Sequence, residues 1–418
     1  METPALYLSL LDDQSVSWQY ESEPQRNAFY AFRDRKTKLN MGKVLGGSSS
    51  VGAHDYVRGS RYDYDDWAAQ GNKGWSYRDV LPFFLKSEGS RIQNLKNPDV
   101  HNSCGPLTVQ NGSSSDRIDL YFRAGKQIGK KEIRTLADLP VGNNLQEHLA
   151  FRVRVYLNVD TKRPDVFMDP TTVAQYLFER KEGPDETYAF IKTTKGSRSK
   201  SPDIQVFFEG GIGSVANILE KRQNLPDSRD GIGLVVVNLH PRSRGTVRIR
   251  SKDPRDNPRI DPNFLSSETD IQQFIEGIRF VEKLADTPAF RQANAQVELP
   301  YPACSRYTFR SDAYWKCHVQ HDATTVWHPT STCRMGTGRN AVVDERLRVY
   351  QIKNLRIADA SIMPEIVSGN TNAPAIMIGE KAAAMILEDY RREPEKTFQR
   401  RSQSRPKQYG RKAKALRT

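Results

Sequence analysis

One of the seven histidines in this 418-residue chain lies in a setting that suits acid–base chemistry. His328 belongs to the segment WHPTSTCRMG, after a bulky aromatic residue and before a proline that fixes the local backbone. A rigid and partly apolar setting of this kind suits a general base with a pKa near neutrality. On residue type alone, an ordinary core histidine with satisfied hydrogen bonds is the favoured interpretation.

A metal site is the second interpretation of this region. Cys317, His318, His321 and His328 follow the spacing CH-x2-H-x6-H, and these residue types ligate zinc. No regular helix or knuckle places all four on one face, so no metal ligand is predicted. The cysteines form no CxxC pair, which argues against a disulfide scaffold and against a zinc ribbon. They are Cys104, Cys304, Cys317 and Cys333.

Two further segments could approach an electron-rich ligand. Residues 41–50 read MGKVLGGSSS, where small residues permit close backbone approach and offer N–H donors. Asn370 and Asn372 lie in SGNTNAP, just before a predicted helix whose first turn would present free N–H groups and a positive dipole end. Such a terminus can face an electron-rich group. Helix capping by Asn372 is the competing interpretation.

Hydrophobic patterns predict the elements that must position these residues. Strand-like runs occupy 151–157, 203–208, 234–239 and 245–250, and helix-like runs occupy 77–86, 116–129, 268–286 and 375–390. The middle third is therefore predicted to be an antiparallel sheet with helices, and a short strand is predicted at 355–358. No complete strand–GxGxxG–helix unit occurs, although residues 211–216 match GxGxxA without the following acid.

Composition indicates a globular chain with a basic end. Hydrophobic residues make up 37% and charged residues 27%, which excludes wholesale disorder. The apolar runs are too short for a membrane span of roughly 20 residues, and residues 1–14 do not resemble a signal peptide.

The net charge is +13, and residues 391–418 hold 11 Lys or Arg against two Glu. This segment is predicted to be a disordered tail, with no specific nucleic-acid partner; polyanion binding remains an alternative.

Several motifs, in matching order, resemble the glucose–methanol–choline (GMC) family of FAD-dependent alcohol oxidoreductases, with most likeness to its animal glucose dehydrogenase-like branch. The resemblance covers about residues 15–390. Its segments are GKVLGGSSS at 42–50, YVRG at 56–59, DDW at 65–67, GWSY at 74–77, VGNNLQEH at 141–148, PRSRG at 241–245, residues 258–266, HPTSTCRMG at 328–336, DAS at 359–361 and SGNTNAP at 368–374.

The resemblance implies an enzyme that oxidises the CH–OH group of a small alcohol or sugar, passing hydride to flavin N5 of FAD while a base removes the hydroxyl proton. By motif match, His328 is the base and Asn370 is a hydrogen-bond partner of the substrate oxygen. The electron acceptor and the compartment are not identified. The residues expected to contact FAD are Lys43, Val44, Gly46, Gly47, Ser48, Ser49, Asp359, Ala360, Asn372, Ala373 and Pro374.

Two segments of the family pattern are missing from the sequence. One is the N-terminal strand–GxGxxG–helix that holds the FAD pyrophosphate, and the other is a cofactor strand with the second signature, which would lie between Gly129 and Leu136. We therefore expect a fragment or incomplete form that binds FAD weakly or not at all. The alternative is a cofactor-less relic that acts as a binding protein.

The predicted fold class is α/β plus α+β, with a truncated Rossmann-like FAD-binding domain and an antiparallel-sheet substrate domain. The predicted division is a partial FAD-binding domain at 1–150, a substrate-binding domain at 151–323, a C-terminal active-site block at 324–390 that returns to the FAD domain, and the basic tail at 391–418.

Overall fold

A computed structural model describes residues 13–52, 56–92, 98–109, 139–157, 188–194, 200–209, 231–253 and 256–403. The predicted helix at 116–129, the GxGxxA segment at 211–216 and the join between Gly129 and Leu136 lie outside the described residues. The helices are α1 (Arg61–Ala69), α2 (Tyr77–Ser87), α3 (Glu268–Ala285), α4 (Pro288–Gln292), α5 (Asp312–Asp322) and α6 (Asn372–Gln403).

The strands are β1 (Ser17–Glu21), β2 (Lys38–Gly42), β3 (Glu88–Ser90), β4 (Leu107–Val109), β5 (Leu149–Tyr156), β6 (Tyr188–Ile191), β7 (Ile204–Glu209), β8 (Gly231–Asn238), β9 (Thr246–Arg248), β10 (Arg259–Asp261), β11 (Gln296–Val297) and β12 (Thr324–Thr325). Among the described residues, β1 pairs with β2, β3 with β4 and β9 with β10 as separate two-stranded sheets.

Six of the described strands form an antiparallel sheet. Its order is β11–β5–β8–β7–β6, and β12 also pairs with β5. β5 and β8 pair from Leu149↔Asn238 to Tyr156↔Gly231. Valine, isoleucine and phenylalanine dominate these strands because branched and aromatic side chains pack well on a pleated surface. The predicted antiparallel sheet in the middle third is confirmed.

Helix α3 packs on this sheet and closes the first hydrophobic core. Its buried stripe includes Ile271, Phe274 and Ile278, at the spacing of one helical face. At Gly277 the helix approaches β8 so closely that a Cβ atom would lie 2.5 Å from Cγ1 of Val236. Helix α5 also contributes to this core.

A second core joins the N-terminal helices to the C-terminal segment. Tyr64, Trp67 and Trp75 pack with apolar residues from 335–385. The indole N–H of Trp67 donates to the carbonyl of Glu365 at 3.1 Å, and that of Trp75 donates to the carbonyl of Glu345 at 2.9 Å. The chain after residue 324 thus returns to its N-terminal part, although the domain boundaries themselves remain predictions.

The truncation predicted for the Rossmann-like domain stays a prediction. Within the described part of the chain, parallel pairing between strands is limited to β3 with β4, over three residues. Parallel sheets need long crossover connections, and the sequence offers no complete strand–GxGxxG–helix unit to supply one. The predicted strand at 355–358 is wrong: the segment forms one isolated bridge, Arg348↔Arg356, before the 3-10 turn Ala360–Ile362 begins.

Helix α6 is longer than the pattern predicts. It begins at Asn372 instead of residue 375 and continues to Gln403. The helix therefore overlaps the first residues of the predicted tail, and the disorder predicted for residues 391–418 stays a prediction. Among the described residues, none of the helices combines the length and the apolar character that a bilayer crossing requires.

Candidate active site

Gln146 joins three segments that carry the predicted site residues. Its backbone pairs with Thr330, in the segment that contains His328. Its side-chain oxygen accepts a hydrogen bond from the N–H of Ile366 at 3.2 Å, and its side-chain nitrogen donates to the carbonyl of Pro364 at 3.3 Å. The side chain is buried. One amide therefore holds residues 364–366 against the strand-like segment that precedes β5.

His328 is held by two residues of the same segment. Its Nδ1 lies 3.0 Å from Nδ1 of His148, and the two rings are nearly perpendicular, at 86°. Its backbone N–H donates to Oε1 of Glu147 at 2.6 Å. His148 is fully buried, and its Nε2 lies 3.0 Å from the carbonyl oxygen of Leu239, at the end of β8. His328 itself is half-buried.

Burial sets the charge of these groups. It lowers the pKa of His328 to about 4 and raises the pKa of Glu147 to about 8. The pKa of His148 is well below its usual value, mainly through burial and secondly through the nearby His328 and His240. The pKa near neutrality expected for His328 is therefore wrong, because burial disfavours the charged ring. At neutral pH both imidazoles of the pair are uncharged.

A second cluster, centred on Asp63 of α1, fixes the segment before Asn370. The buried carboxylate accepts four hydrogen bonds of 2.7–2.8 Å, whose donors are Ser60 N, Ser201 Oγ, Ser368 N and Ser368 Oγ. The hydroxyl of Ser368 lies 2.7 Å from Nε2 of His240. Because this hydroxyl is buried and donates to Asp63, the arrangement does not activate serine as a nucleophile. It holds Ser368 in place, two residues before Asn370.

The YVRG motif packs directly against the same segment. Gly59 has φ +81°, and a Cβ atom there would lie 2.9 Å from Oδ2 of Asp63 and 3.1 Å from Cβ of Val367. Val57 packs against Gly369. A residue with a side chain at position 59 would therefore push the Asn370 segment away from α1.

Residues 43–50 form an open turn after β2, ending in the 3-10 turn Gly47–Ser50. Gly46 and Gly47 both have positive φ, at +90° and +60°, and Leu45 is 64% exposed. The hydrogen bonds described for residues 46–49 stay within residues 41–51. The ammonium of Lys43 lies 4.6 Å from the centre of the Trp18 ring. The structure thus joins Gly46, Gly47, Ser48 and Ser49 in one turn, with Val44 beside them.

The turn and His328 are connected through the strand that precedes the turn. The indole N–H of Trp327 donates to the carbonyl of Lys38 in β2 at 3.3 Å. No described hydrogen bond joins residues 46–49 to Asp359 or Asn372, whereas the segment of His328 and residues 364–366 both bond to Gln146.

The remaining predicted residues lie at two chain reversals. Asp359 caps the 3-10 turn by accepting a hydrogen bond from Ser361 N at 2.8 Å, and the carbonyl of Ala360 accepts one from Ser331 N at 3.3 Å. Asn372, Ala373 and Pro374 form the first turn of α6. Oδ1 of Asn372 is buried and, among the described residues, has no hydrogen-bond partner. This orphaned acceptor and the helix start fit a ligand that carries both N–H and carbonyl groups.

The alternative metal grouping is not formed. His318 is buried and stacks on Tyr301, with ring centres 4.3 Å apart, whereas His328 contacts His148. Cys317 forms a disulfide with Cys304, a pairing that the absence of CxxC spacing did not reveal, because the turn Pro302–Cys304 folds back onto α5. Nδ1 of His321 lies 3.7 Å from Sγ of Cys317.

Sequence reasoning missed five residues of the site: Asp63, Gln146, Glu147, His148 and His240. Asp63 carried one local signal, since it stands three residues after Ser60 in a capping box. His148 ends the quoted VGNNLQEH motif, and His240 directly precedes PRSRG, but nothing in their spacing shows that they approach His328 or Ser368.

Comparison with known proteins gives a consistent family. The sequence models described as "GMC oxidoreductase" match residues 27–140 and 241–379, which together make up more than half of the chain. A "Glucose dehydrogenase [FAD, quinone]" from Drosophila melanogaster is 29% identical over 504 residues, which cover 92% of this chain and 80% of the relative. An "Alcohol dehydrogenase [acceptor]" from Pseudomonas putida is 25% identical and covers 90% of this chain and 87% of its own length.

Solved structures share the fold. A formate oxidase from Aspergillus oryzae superposes with a TM-score of 0.77 at 21% identity, covering 93% of this chain and 91% of its own. Pyridoxine 4-oxidase from "Mesorbium loti" gives a TM-score of 0.70 at 21% identity, with 92% and 90% covered. Together with the two family models, these similarities show that the chain belongs to the GMC oxidoreductase family.

Proposed function

We propose that this protein is an FAD-dependent oxidoreductase that oxidises the CH–OH group of a small alcohol or sugar, with His328 as the base. The observation that carries the proposal is the uncharged, half-buried imidazole of His328, held by His148 and Glu147. The adjacent Gln146 bonds to residues 364 and 366, ahead of Asn370. The names of the relatives support the substrate class, since they include glucose, choline and alcohol dehydrogenases.

His328 takes the hydroxyl proton of the substrate. A neutral imidazole accepts a proton without first losing one, and a half-buried position keeps the ring within reach of a bound molecule. Asn370 orients the substrate oxygen through its side-chain amide. The Asp63 cluster holds Ser368 and thereby limits where Asn370 can lie. In this scheme the chain's own residues bind, orient and deprotonate, and FAD, when it is bound, supplies the hydride acceptor.

FAD would be held at its flavin end by the first turn of α6, through the orphaned oxygen of Asn372 and the backbone of Ala373 and Pro374. The glycine and serine turn at residues 46–49, with Lys43 and Val44, would lie along the phosphates together with Asp359 and Ala360. Among the described residues, none forms a strand–glycine turn–helix unit for the ADP half, so we propose that FAD binds weakly to the chain as it stands.

An internally shortened chain fits this proposal. The alignment with the Drosophila relative extends over 504 residues, which exceeds the 418 residues of this chain, so it contains positions that this chain lacks. We propose that the internal gap lies between Gly129 and Leu136, where the family resemblance implies a cofactor strand. A cofactor-less binding protein is the outcome to be distinguished by experiment.

Flavin reduction by substrate tests the proposal. The purified chain is mixed with excess FAD and an alcohol or sugar, and flavin absorbance is followed without oxygen. His328→Ala should slow flavin reduction roughly 10²–10⁴-fold while changing FAD affinity little. His101→Ala is the matched control, since His101 contacts Glu88 outside this site.

Reduction at the parent rate in His328→Ala would remove this residue from the mechanism. A chain that neither retains FAD nor reduces it at any FAD concentration would favour the binding-protein alternative. Near-stoichiometric FAD after gel filtration would contradict the proposed weak binding.

A further inference from the structure

We infer that His148 is a positioning residue that keeps the proton of His328 on Nδ1 and so leaves Nε2 as the nitrogen that accepts the substrate proton. The inference rests on the proposed role of His328 as base. It concerns a residue that sequence reasoning did not select and that does not itself need to touch the substrate.

The protonation of His148 follows from its partner at the end of β8. Its Nε2 lies 3.0 Å from the carbonyl oxygen of Leu239, and a carbonyl can only accept a hydrogen bond, so Nε2 carries the proton. The ring is fully buried and next to two other imidazoles, which favours its neutral form. A neutral imidazole with a proton on Nε2 has a lone pair on Nδ1.

The protonation of His328 follows in turn. The two Nδ1 atoms are 3.0 Å apart, within hydrogen-bond distance. Because Nδ1 of His148 is the acceptor, Nδ1 of His328 must be the donor. Nε2 of His328 then holds the free lone pair. When His328 gains a proton there, its bond to His148 becomes charge-assisted, which stabilises the cation that the reaction forms.

The sheet register creates this arrangement. His148 directly precedes β5, and Leu149 pairs with Asn238 of β8, so His148 lies beside Leu239. The backbone bond from His328 to Glu147 fixes the other end of the pair. A change at His148 therefore alters which nitrogen of His328 is protonated without removing the base itself.

Two amide variants separate the two hydrogen bonds of His148. His148→Asn places an amide oxygen near the position of Nδ1 and keeps an acceptor for His328, but it cannot reach Leu239. His148→Gln reaches the position of Nε2 and keeps a donor for Leu239, but it has no acceptor at the position of Nδ1. Both side chains are polar and uncharged. His148→Leu removes both hydrogen bonds of the ring and shows the effect of losing them together.

The test uses the full chain labelled with nitrogen-15 histidine, and long-range proton–nitrogen spectra that report which ring nitrogen carries the proton. Signals of His328 are assigned by their absence in His328→Ala. We expect His328 to be protonated on Nδ1 in the parent chain and in His148→Asn, and to shift toward the Nε2-protonated form in His148→Gln and His148→Leu. This readout needs neither FAD nor activity.

With excess FAD and substrate, His148→Gln should lower the limiting rate of flavin reduction about 10- to 100-fold with little change in KM, and His148→Asn should rescue most of that loss. His328 protonated on Nε2 in the parent chain, or unaltered in His148→Gln, would overturn the inference. If His148→Leu fails to fold, the two amide variants still decide it. Unchanged flavin reduction in His328→Ala would instead reject the proposed function and leave the tautomer result standing.

Discussion

The antiparallel sheet and the candidate site, a cluster of polar residues around both His328 and Asp63, are held together by different interactions. In the sheet, β5 and β8 form a continuous backbone ladder, and the side chains of α3 cover it with a contiguous apolar core. In the cluster, single buried polar side chains join segments that are distant along the chain. Asp63, Gln146, Glu147 and His148 each do this.

This difference predicts different consequences of substitution. Removal of an apolar group from the sheet leaves a cavity whose cost is shared by many neighbours and does not redirect a backbone segment. Removal of one polar group from the cluster leaves buried donors without acceptors and frees the segment that they held. Substitutions in the sheet should therefore mainly lower the free energy of unfolding. Substitutions in the cluster should also change the position and hydrogen bonds of the His328 ring.

The largest loss of stability is expected in the sheet. Phe274→Ala removes a fully buried ring of α3 and should lower the free energy of unfolding by about 3–5 kcal/mol. Denaturant unfolding measures this loss, with Phe190→Ala, whose ring is 42% exposed, as the control. The histidine spectra of His148 and His328 should stay as in the parent chain. Displaced His328 signals would show that the two regions are not independent.

Asp63 provides the corresponding test in the cluster. Asp63→Asn replaces an acceptor oxygen by an N–H₂ group that faces other donors, and should cost about 1–3 kcal/mol of unfolding free energy. Asp66→Asn, at an exposed position of the same helix, is the control. Unlike Phe274→Ala, this variant should also change the histidine spectra, because Ser368 and His240 lose their anchor. A spectrum identical to that of the parent chain would contradict the assigned role of Asp63.

The protonation of Glu147 makes the free energy of unfolding depend on pH. Its folded-state pKa of about 8 lies above the usual 4.5, so the folded state binds the proton more tightly and loses stability as pH rises from about 4.5 to 8. Glu147→Gln keeps the acceptor for His328 N and removes this titration. It should therefore match the parent at pH 5 and exceed it at pH 8 by more than about 1 kcal/mol.

Denaturant titrations at several pH values give this difference directly. Glu298, whose pKa burial raises to about 7, titrates in both proteins and cancels in the comparison. A Glu147→Gln chain that gains nothing between pH 5 and 8 would show that Glu147 is already ionised in the folded protein.

The smallest effect is expected at the C-terminal end. Arg391 is exposed, and the last described contacts of α6 are those of Asp389 with Arg346 and Arg356. A chain that ends after Arg391 should keep its unfolding free energy within about 0.5 kcal/mol. Asp389→Ala, which removes those ion pairs, is the comparison variant. A melting temperature many degrees lower in the truncated chain would show that the removed residues pack on the body.

The sequence alone identified the family, the antiparallel sheet, and His328 and Asn370 as the candidate catalytic residues. These features are local, because each motif is a contiguous run of residues and each strand can be predicted from its own apolar pattern. The same locality explains the error at 355–358. Whether this segment forms a strand depends on what packs beside it, which a pattern within one segment does not contain.

Only the tertiary structure decided which residues support the candidate site. His148 and His328 are 180 positions apart and Asp63 and Ser368 are 305 apart, and each pair meets through hydrogen bonds of 2.7–3.0 Å. The disulfide between Cys304 and Cys317 depends in the same way on a turn folding back onto α5. Such contacts require strand register and helix packing to place atoms within a fraction of an ångström. A sequence specifies these placements only through the whole fold, because a hydrogen bond depends on distance and angle, whereas residue type states only which atoms are available.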